Sequence, residues 1–132
     1  MADLMQAYLE GLDKLADKYG SALEWSNSIL EKRGQALFLK QSYVVPALIA
    51  KCQREVAHIH ESDLSAHVFL SFADARSVIE KGWGERHRMT GTAIIPLGYT
   101  LLYSPRNGEE VEVLLKIMEA GIEYAKSSGK AS

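Results

Sequence analysis

EVAHIH at 55–60, ESDL at 61–64 and SAHVFLS at 65–71 form the stretch whose reading decides the fold. Both outer segments alternate in period two, and the four polar-rich residues between them suit a hairpin loop. With ESDL as the loop, Ser65 stands opposite His60 and His67 opposite His58. Directly opposed residues of antiparallel strands share a face. His58, His60, Ser65 and His67 therefore gather on one side, and Ala57, Ile59, Ala66, Val68 and Leu70 on the other. The apolar side is expected to carry helices, and the histidine side to face solvent and line a cleft. An odd slip in register would scatter the histidines, whereas an even one would keep them on one face.

Outward from the hairpin, Ser71 followed by Asp74 opens a helix through Ala75, Val78 and Ile79, with Gly82 as its stop. GWGERHRMTG at 82–91 reads as a glycine-rich loop, and GYTLLYS at 98–104 as a further strand. Asn107, with Glu110 at the capping-box position, opens a last helix striped by Val111, Leu114, Leu115, Met118, Ile122 and Ala125. The tail KSSGKAS is expected to fray. Leu4, Tyr8, Leu12, Leu15 and Tyr19 predict an amphipathic first helix closed by a left-handed Gly20. Between residues 21 and 53 the pattern is weaker: ALFL at 36–39 reads as a buried strand, and Pro46 as the start of a short helix. Helix first, strands in the middle and helix last make an α+β protein. Its antiparallel sheet is expected to carry helices on one face, the N- and C-terminal helices flanking the central hairpin.

The 132 residues suit a single domain over 1–132, and 47% hydrophobic with 24% charged residues is a globular composition. A net charge of -2 with no basic stripe argues against nucleic acid as a partner. MADLMQAYLE has no basic region ahead of its apolar residues, and no stretch approaches the roughly 20 apolar residues of a membrane span. A soluble, cytoplasmic protein with a small-molecule substrate and no membrane partner is the expectation; the oligomeric state is open. The single cysteine, Cys52, reads as a buried thiol in a reducing compartment rather than a nucleophile.

P-loop, dinucleotide fingerprint, nucleophile elbow and paired CxxC are all missing from the sequence, which leaves acid-base chemistry. Imidazoles titrate near neutrality, so His58, His60, His67 and His87 are the candidate catalytic residues. His87 comes from the glycine loop beside Trp83, Glu85 and Arg86, and Arg86 or Arg106 would hold an enolate or carboxylate. Three of the imidazoles could also ligate zinc or iron. A cupin-type set, however, wants a glutamate several residues on, and Glu61 follows His60 too closely. The expectation is therefore no bound metal, with a transition metal as the alternative.

REVAHIHESDLSAHVFLSFADARSVIEKGWGERH and LGYTLLYSPRNGEEVEVLLKIMEAGIEY resemble the luciferase-domain family of fungi and bacteria, whose fungal members oxidise 3-hydroxyhispidin. The likeness runs from about residue 28 to 126, with AHIH, the later histidine and KGWGERH as its core and YSPRNGEEVE as a second landmark. It implies functional roles for the four histidines and for Trp83, Glu85, Arg86, Tyr103 and Arg106; Ser65 joins them from the hairpin register. It also implies a cofactor-independent oxygenase of secondary metabolism, acting on a pyrone, phenol or related polyketide. Deprotonation would make an anion that reacts directly with dioxygen, and an endoperoxide would then lose carbon dioxide. The loop after His87, RMTGTAIIPLG, departs from the more proline- and glycine-rich loop of the bioluminescent members, so altered substrate contacts are expected. The same bases would also serve an oxygen-independent decarboxylase, cyclase or aldolase-type lyase, and a non-enzymatic ligand-binding domain is the third reading.

Overall fold

The computed structural model describes residues 2–27, 35–46, 54–86 and 98–131. Helix α1 (Ala2–Lys18) leads into strands β1 (Leu23–Asn27), β2 (Gln35–Leu39), β3 (Glu55–Ile59) and β4 (Ala66–Phe69). Helix α2 (Phe72–Glu80), strands β5 (Gly84–Arg86) and β6 (Tyr99–Leu102) and helix α3 (Gly108–Lys126) follow. The strands form one antiparallel sheet in the order β1-β2-β3-β4-β6-β5, so the β3–β4 hairpin sits at its centre. This is the α+β architecture expected.

The hairpin register is the predicted one: Ala57 faces Val68, His58 faces His67 and Ile59 faces Ala66. The loop closes with the His60 N–H on the Ser65 carbonyl (2.8 Å) and the Leu64 N–H on the His60 carbonyl (2.7 Å). Leu64 takes a left-handed φ of 64° there, and its buried side chain joins the core. The apolar face carries the helices. α3 lies so close to β4 that a Cβ on Gly121 would meet Val68 Cγ2 at 2.5 Å and the Phe69 carbonyl oxygen at 2.7 Å. Leu114, Met118 and Ile122 of α3 are buried with Tyr8 and Leu12 of α1, each apolar side chain contributing about 1.5–3 kcal/mol by leaving water. The two helices are also tied by Lys18 Nζ and the Tyr19 hydroxyl, both donating to Glu119, at 2.7 and 2.6 Å.

The helix starts follow their expected chemistry. The Asp74 N–H donates to Ser71 Oγ, and the Glu110 N–H to Asn107 Oδ1. Gly82, at φ 82°, stops α2.

Three expectations are corrected, and one strand is added. Gly20 is not left-handed; the chain leaves α1 through a turn in which its N–H reaches the Asp17 carbonyl. LEWSN forms a strand, although four of its five residues are exposed, because backbone pairing with β2 needs no apolar face. Gly84–Arg86 is an edge strand on β6 rather than loop, again held by backbone pairing that side-chain pattern does not reveal. The tail does not fray throughout: the Gly129 carbonyl accepts from the Val44 N–H and the Ala131 N–H donates to the Ser42 carbonyl. The short helix expected after Pro46 and the buried thiol of Cys52 lie outside the described residues. Among the described residues no helix is long and apolar enough to cross a membrane.

Candidate functional site

His58, His60 and His67 do assemble on one face of the hairpin. Their ring centroids are 5.0 Å (His58–His60), 5.4 Å (His58–His67) and 5.7 Å (His60–His67) apart. The expected exposure is corrected: His67 is 0% and His58 3% exposed, and only His60 is half-buried. β3 and β4 are buried on both faces, one against helices and the other around the imidazoles. Burying polar rings is tolerable when they are hydrogen-bonded, and the partners are close at hand.

One of these partners, Glu55, escaped the sequence reading. Strict alternation places it with Ala57 and Ile59 on the helix face. The β2–β3 ladder, however, pairs Leu37 with Ala57 and Phe38 with Glu55, so one strand carries an extra residue and Glu55 is re-aimed. The bulge turns on Arg54, which adopts a left-handed φ of 76°. Its guanidinium donates to the carbonyls of Leu39 (3.1 Å), Lys40 (2.8 Å) and Tyr43, pinning the strand where it bends. Glu55 Oε2 then reaches His67 Nε2 at 2.8 Å, with both side chains fully buried. A positive φ beside a hydrogen-bonded arginine leaves no local sequence signal.

The second partner system is the hairpin loop. Ser65 Oγ lies 2.7 Å from Asp63 Oδ1 and 2.9 Å from His60 Nδ1. The Asp63 carboxyl is held below its ordinary value of 3.8, first by the Ser65 hydroxyl and then by the Ser65 N–H. An ionised carboxylate only accepts, so the serine proton points to Asp63 and the serine oxygen accepts from His60 Nδ1–H. In the neutral ring the lone pair is then on Nε2. At His67 the contact from Glu55 Oε2 is made to Nε2, so the buried carboxyl group fixes how that ring nitrogen is used. Two acidic side chains thus orient two histidines, Glu55 directly and Asp63 through Ser65, as orienting groups do for bases and for metal ligands. Buried Tyr99, 4.5 Å from His67 between ring centroids and 4.9 Å from Phe69, is a further neighbour that the sequence reading did not single out.

The remaining candidates fall elsewhere. Glu85 pairs with Leu101, which pairs with His67, so Glu85 shares the histidine face two strands away, roughly 10 Å at sheet spacing. Arg86 pairs with Thr100 and Thr100 with Val68, which puts Arg86 on the helix face. Trp83, Tyr103 and Arg106 line a separate cavity of about 420 Å³ with Lys81, Ser104 and Glu110. Arg106 is 84% exposed and engaged by Glu110, with Nη2 to Oε2 at 2.7 Å and its backbone N–H also on the carboxylate. Neither arginine expected to clamp an anion sits with the histidines. The cavity and the cluster are joined through the loop, where Ser104 Oγ donates to the Asp63 carbonyl at 2.6 Å. His87 lies outside the described residues.

The luciferase domain model matches residues 53–121, which span the hairpin, α2, β6 and most of α3. The chain is 36% identical over 110 residues to the luciferases of Neonothopanus nambi, Armillaria gallica and Armillaria mellea. Each match covers 75% of this chain and 41% of the relative, so the chain spans about two fifths of the length of the curated relatives it matches. No solved structure matches it significantly. The residues that hold the histidine cluster therefore lie within the matched region, and the chain belongs to the luciferase-domain family.

Proposed function

We propose that the chain is a small-molecule tailoring enzyme of secondary metabolism that acts, at the histidine cluster, on an enolisable pyrone or phenolic polyketide through its anion, with dioxygen as co-substrate. The observation that carries this reading is the buried Glu55–His67 pair beside His58 and His60 in a member of the luciferase-domain family. The cluster takes up the proton of an acidic C–H or enolic O–H and holds the resulting anion beside it. Glu55 stabilises positive charge on His67, and half-buried His60, backed by Ser65 and Asp63, carries the proton toward water. The anion itself reduces oxygen, so no flavin, haem or nicotinamide enters the scheme. The substrate is a neutral or weakly acidic ring that the protein ionises, which fits a face carrying bases and no arginine among the described residues.

Incubation with pyrone and phenolic polyketide intermediates, with and without oxygen, followed by mass spectrometry, tests this. Oxygen incorporation with loss of carbon dioxide is the expected result, abolished in His67→Ala and His60→Ala. Conversion that proceeds equally without oxygen would replace the oxygenase by a decarboxylase, cyclase or aldolase-type lyase at the same cluster. A folded protein that binds such rings and turns none over would make it a binding domain.

A further inference from the structure

The sequence leaves a transition metal as the alternative, without the suitably spaced glutamate of a cupin-type set. The fold supplies a carboxylate in a different role. One nitrogen from each of His58, His60 and His67 lies within 4.8 Å of one from each of the others. Glu55 engages His67 through Nε2, and Ser65, itself held by Asp63, engages His60 through Nδ1. Each of these contacts takes one ring nitrogen, and the opposite nitrogen of the same ring is the one a metal would use. A carboxylate or hydroxyl on the far nitrogen of a histidine is the usual support of a metal-binding imidazole, fixing its tautomer and raising its basicity.

We propose that His58, His60 and His67 bind one divalent transition-metal ion of the imidazole-preferring class, zinc or ferrous iron, with Glu55 and Ser65 as positioning residues. Three neutral nitrogens and no carboxylate among the ligands select against calcium and magnesium, which take oxygen donors. Three protein ligands also leave coordination positions for water or substrate, as in catalytic rather than structural zinc sites. Nitrogens around a tetrahedral zinc, at about 2.0–2.1 Å from the metal, stand roughly 3.3 Å apart, so the rings draw inward by on the order of 1 Å or less. The inference rests on the reading of this cluster as the reactive centre. It changes both what holds the substrate anion there, from an imidazolium to a bound cation, and what takes its proton, from an imidazole to a hydroxide in one of the open coordination positions, since a metal-bound imidazole has no lone pair left for a proton.

Two measurements on the whole chain test it: metal content of the purified protein by mass spectrometry, and titration of the chelator-stripped protein with cobalt(II) and zinc(II), following cobalt absorption and binding heat. One metal per chain and the intense visible bands of low-coordinate cobalt are expected, both lost in His60→Ala and His67→Ala. Glu55→Gln is expected to weaken zinc binding by about 10- to 100-fold while circular dichroism stays unchanged. This variant keeps the test decisive should His67→Ala fail to fold. Cobalt or zinc binding no tighter to the parent than to these variants would overturn the inference. Turnover that survives complete metal removal would overturn it too while leaving the proposed function standing. Stoichiometric binding without turnover of any pyrone or polyketide would uphold the metal site and sink the proposed function instead.

Discussion

The central hairpin has two faces buried to similar depth by opposite means. On one, Ala57, Ile59, Ala66 and Val68 meet the helices, and α3 comes so close that Gly121 has no room for a side chain. On the other, buried His58 and His67 and half-buried His60 gather with a buried carboxyl group, Glu55 engaging His67 and Ser65 engaging His60. The first face is secured by area and close packing, which many apolar sequences can provide. The second is secured by hydrogen bonds whose loss leaves a charge or dipole stranded in a low-dielectric interior. The helix face is where the fold gains stability, and the histidine face is where it gives stability up to keep a set of reactive groups together.

The sharpest way to break this contrast is at Glu55 and His67. His67→Leu strips a buried carboxylate of its imidazole and should cost about 3–5 kcal/mol in denaturant unfolding. The double variant Glu55→Met/His67→Leu should recover most of that loss while showing no turnover. A double variant no more stable than His67→Leu would mean that the polar face is as stabilising as the apolar one. On the helix face, Gly121→Ala forces a methyl against Val68 and the Phe69 carbonyl and should cost about 1–3 kcal/mol, with unchanged turnover in the fraction that stays folded. Ser65→Ala breaks the chain from Asp63 to His60 at a smaller stability cost, about 1 kcal/mol in the unfolding midpoint. Its turnover should nevertheless fall by about 10- to 100-fold, a loss out of proportion to that cost.

The smallest expected effect lies away from both faces, at the clasp between the two terminal helices. Glu119 is held below its ordinary value of 4.5, first by the Lys18 hydrogen bond and then by that of Tyr19. A depressed carboxyl contributes stability that is present above its unfolded value and lost as pH falls through the folded one. The gap in thermal stability between the parent and Glu119→Gln should therefore be at most about 1 kcal/mol near neutrality and close as pH drops below 4.5. A gap that widens in acid would assign the clasp to something other than this carboxylate.

The two faces also differ in how far the sequence reveals them. The pairing of His58 with His67 is legible because alternation and a four-residue loop admit one sensible register, and the stripes of α1, α2 and α3 and the caps of α2 and α3 are legible for the same local reasons. Glu55 is not, because its place depends on a bulge held by Arg54 against the carbonyls of residues 39, 40 and 43, 11 to 15 positions away along the chain. Buried histidines were mistaken for solvent-side ones since polarity suggests water unless the internal partner is known. Strand β5 and the pairing of the tail with residues 42–44 rest on backbone hydrogen bonds, to which side-chain patterns are nearly blind. Arg86 and Arg106 show the converse: charges with the right chemistry whose register or ion pair directs them away from the cluster.

Because three histidines of the cluster are carried by one short-looped hairpin, their assembly is kinetically local. Pairing residues 57–59 with 66–68 closes only a few residues of chain, an event of the microsecond class, whereas seating Glu55 requires β2 and the distant carbonyls that hold Arg54. The imidazoles are then neighbours before the carboxylate that completes the site arrives. The reactive nitrogens and the Asp63–Ser65–His60 chain thus belong to the local hairpin, and the Glu55–His67 contact to the later meeting with β2, so a long-range contact is what separates a cluster of histidines from a working centre.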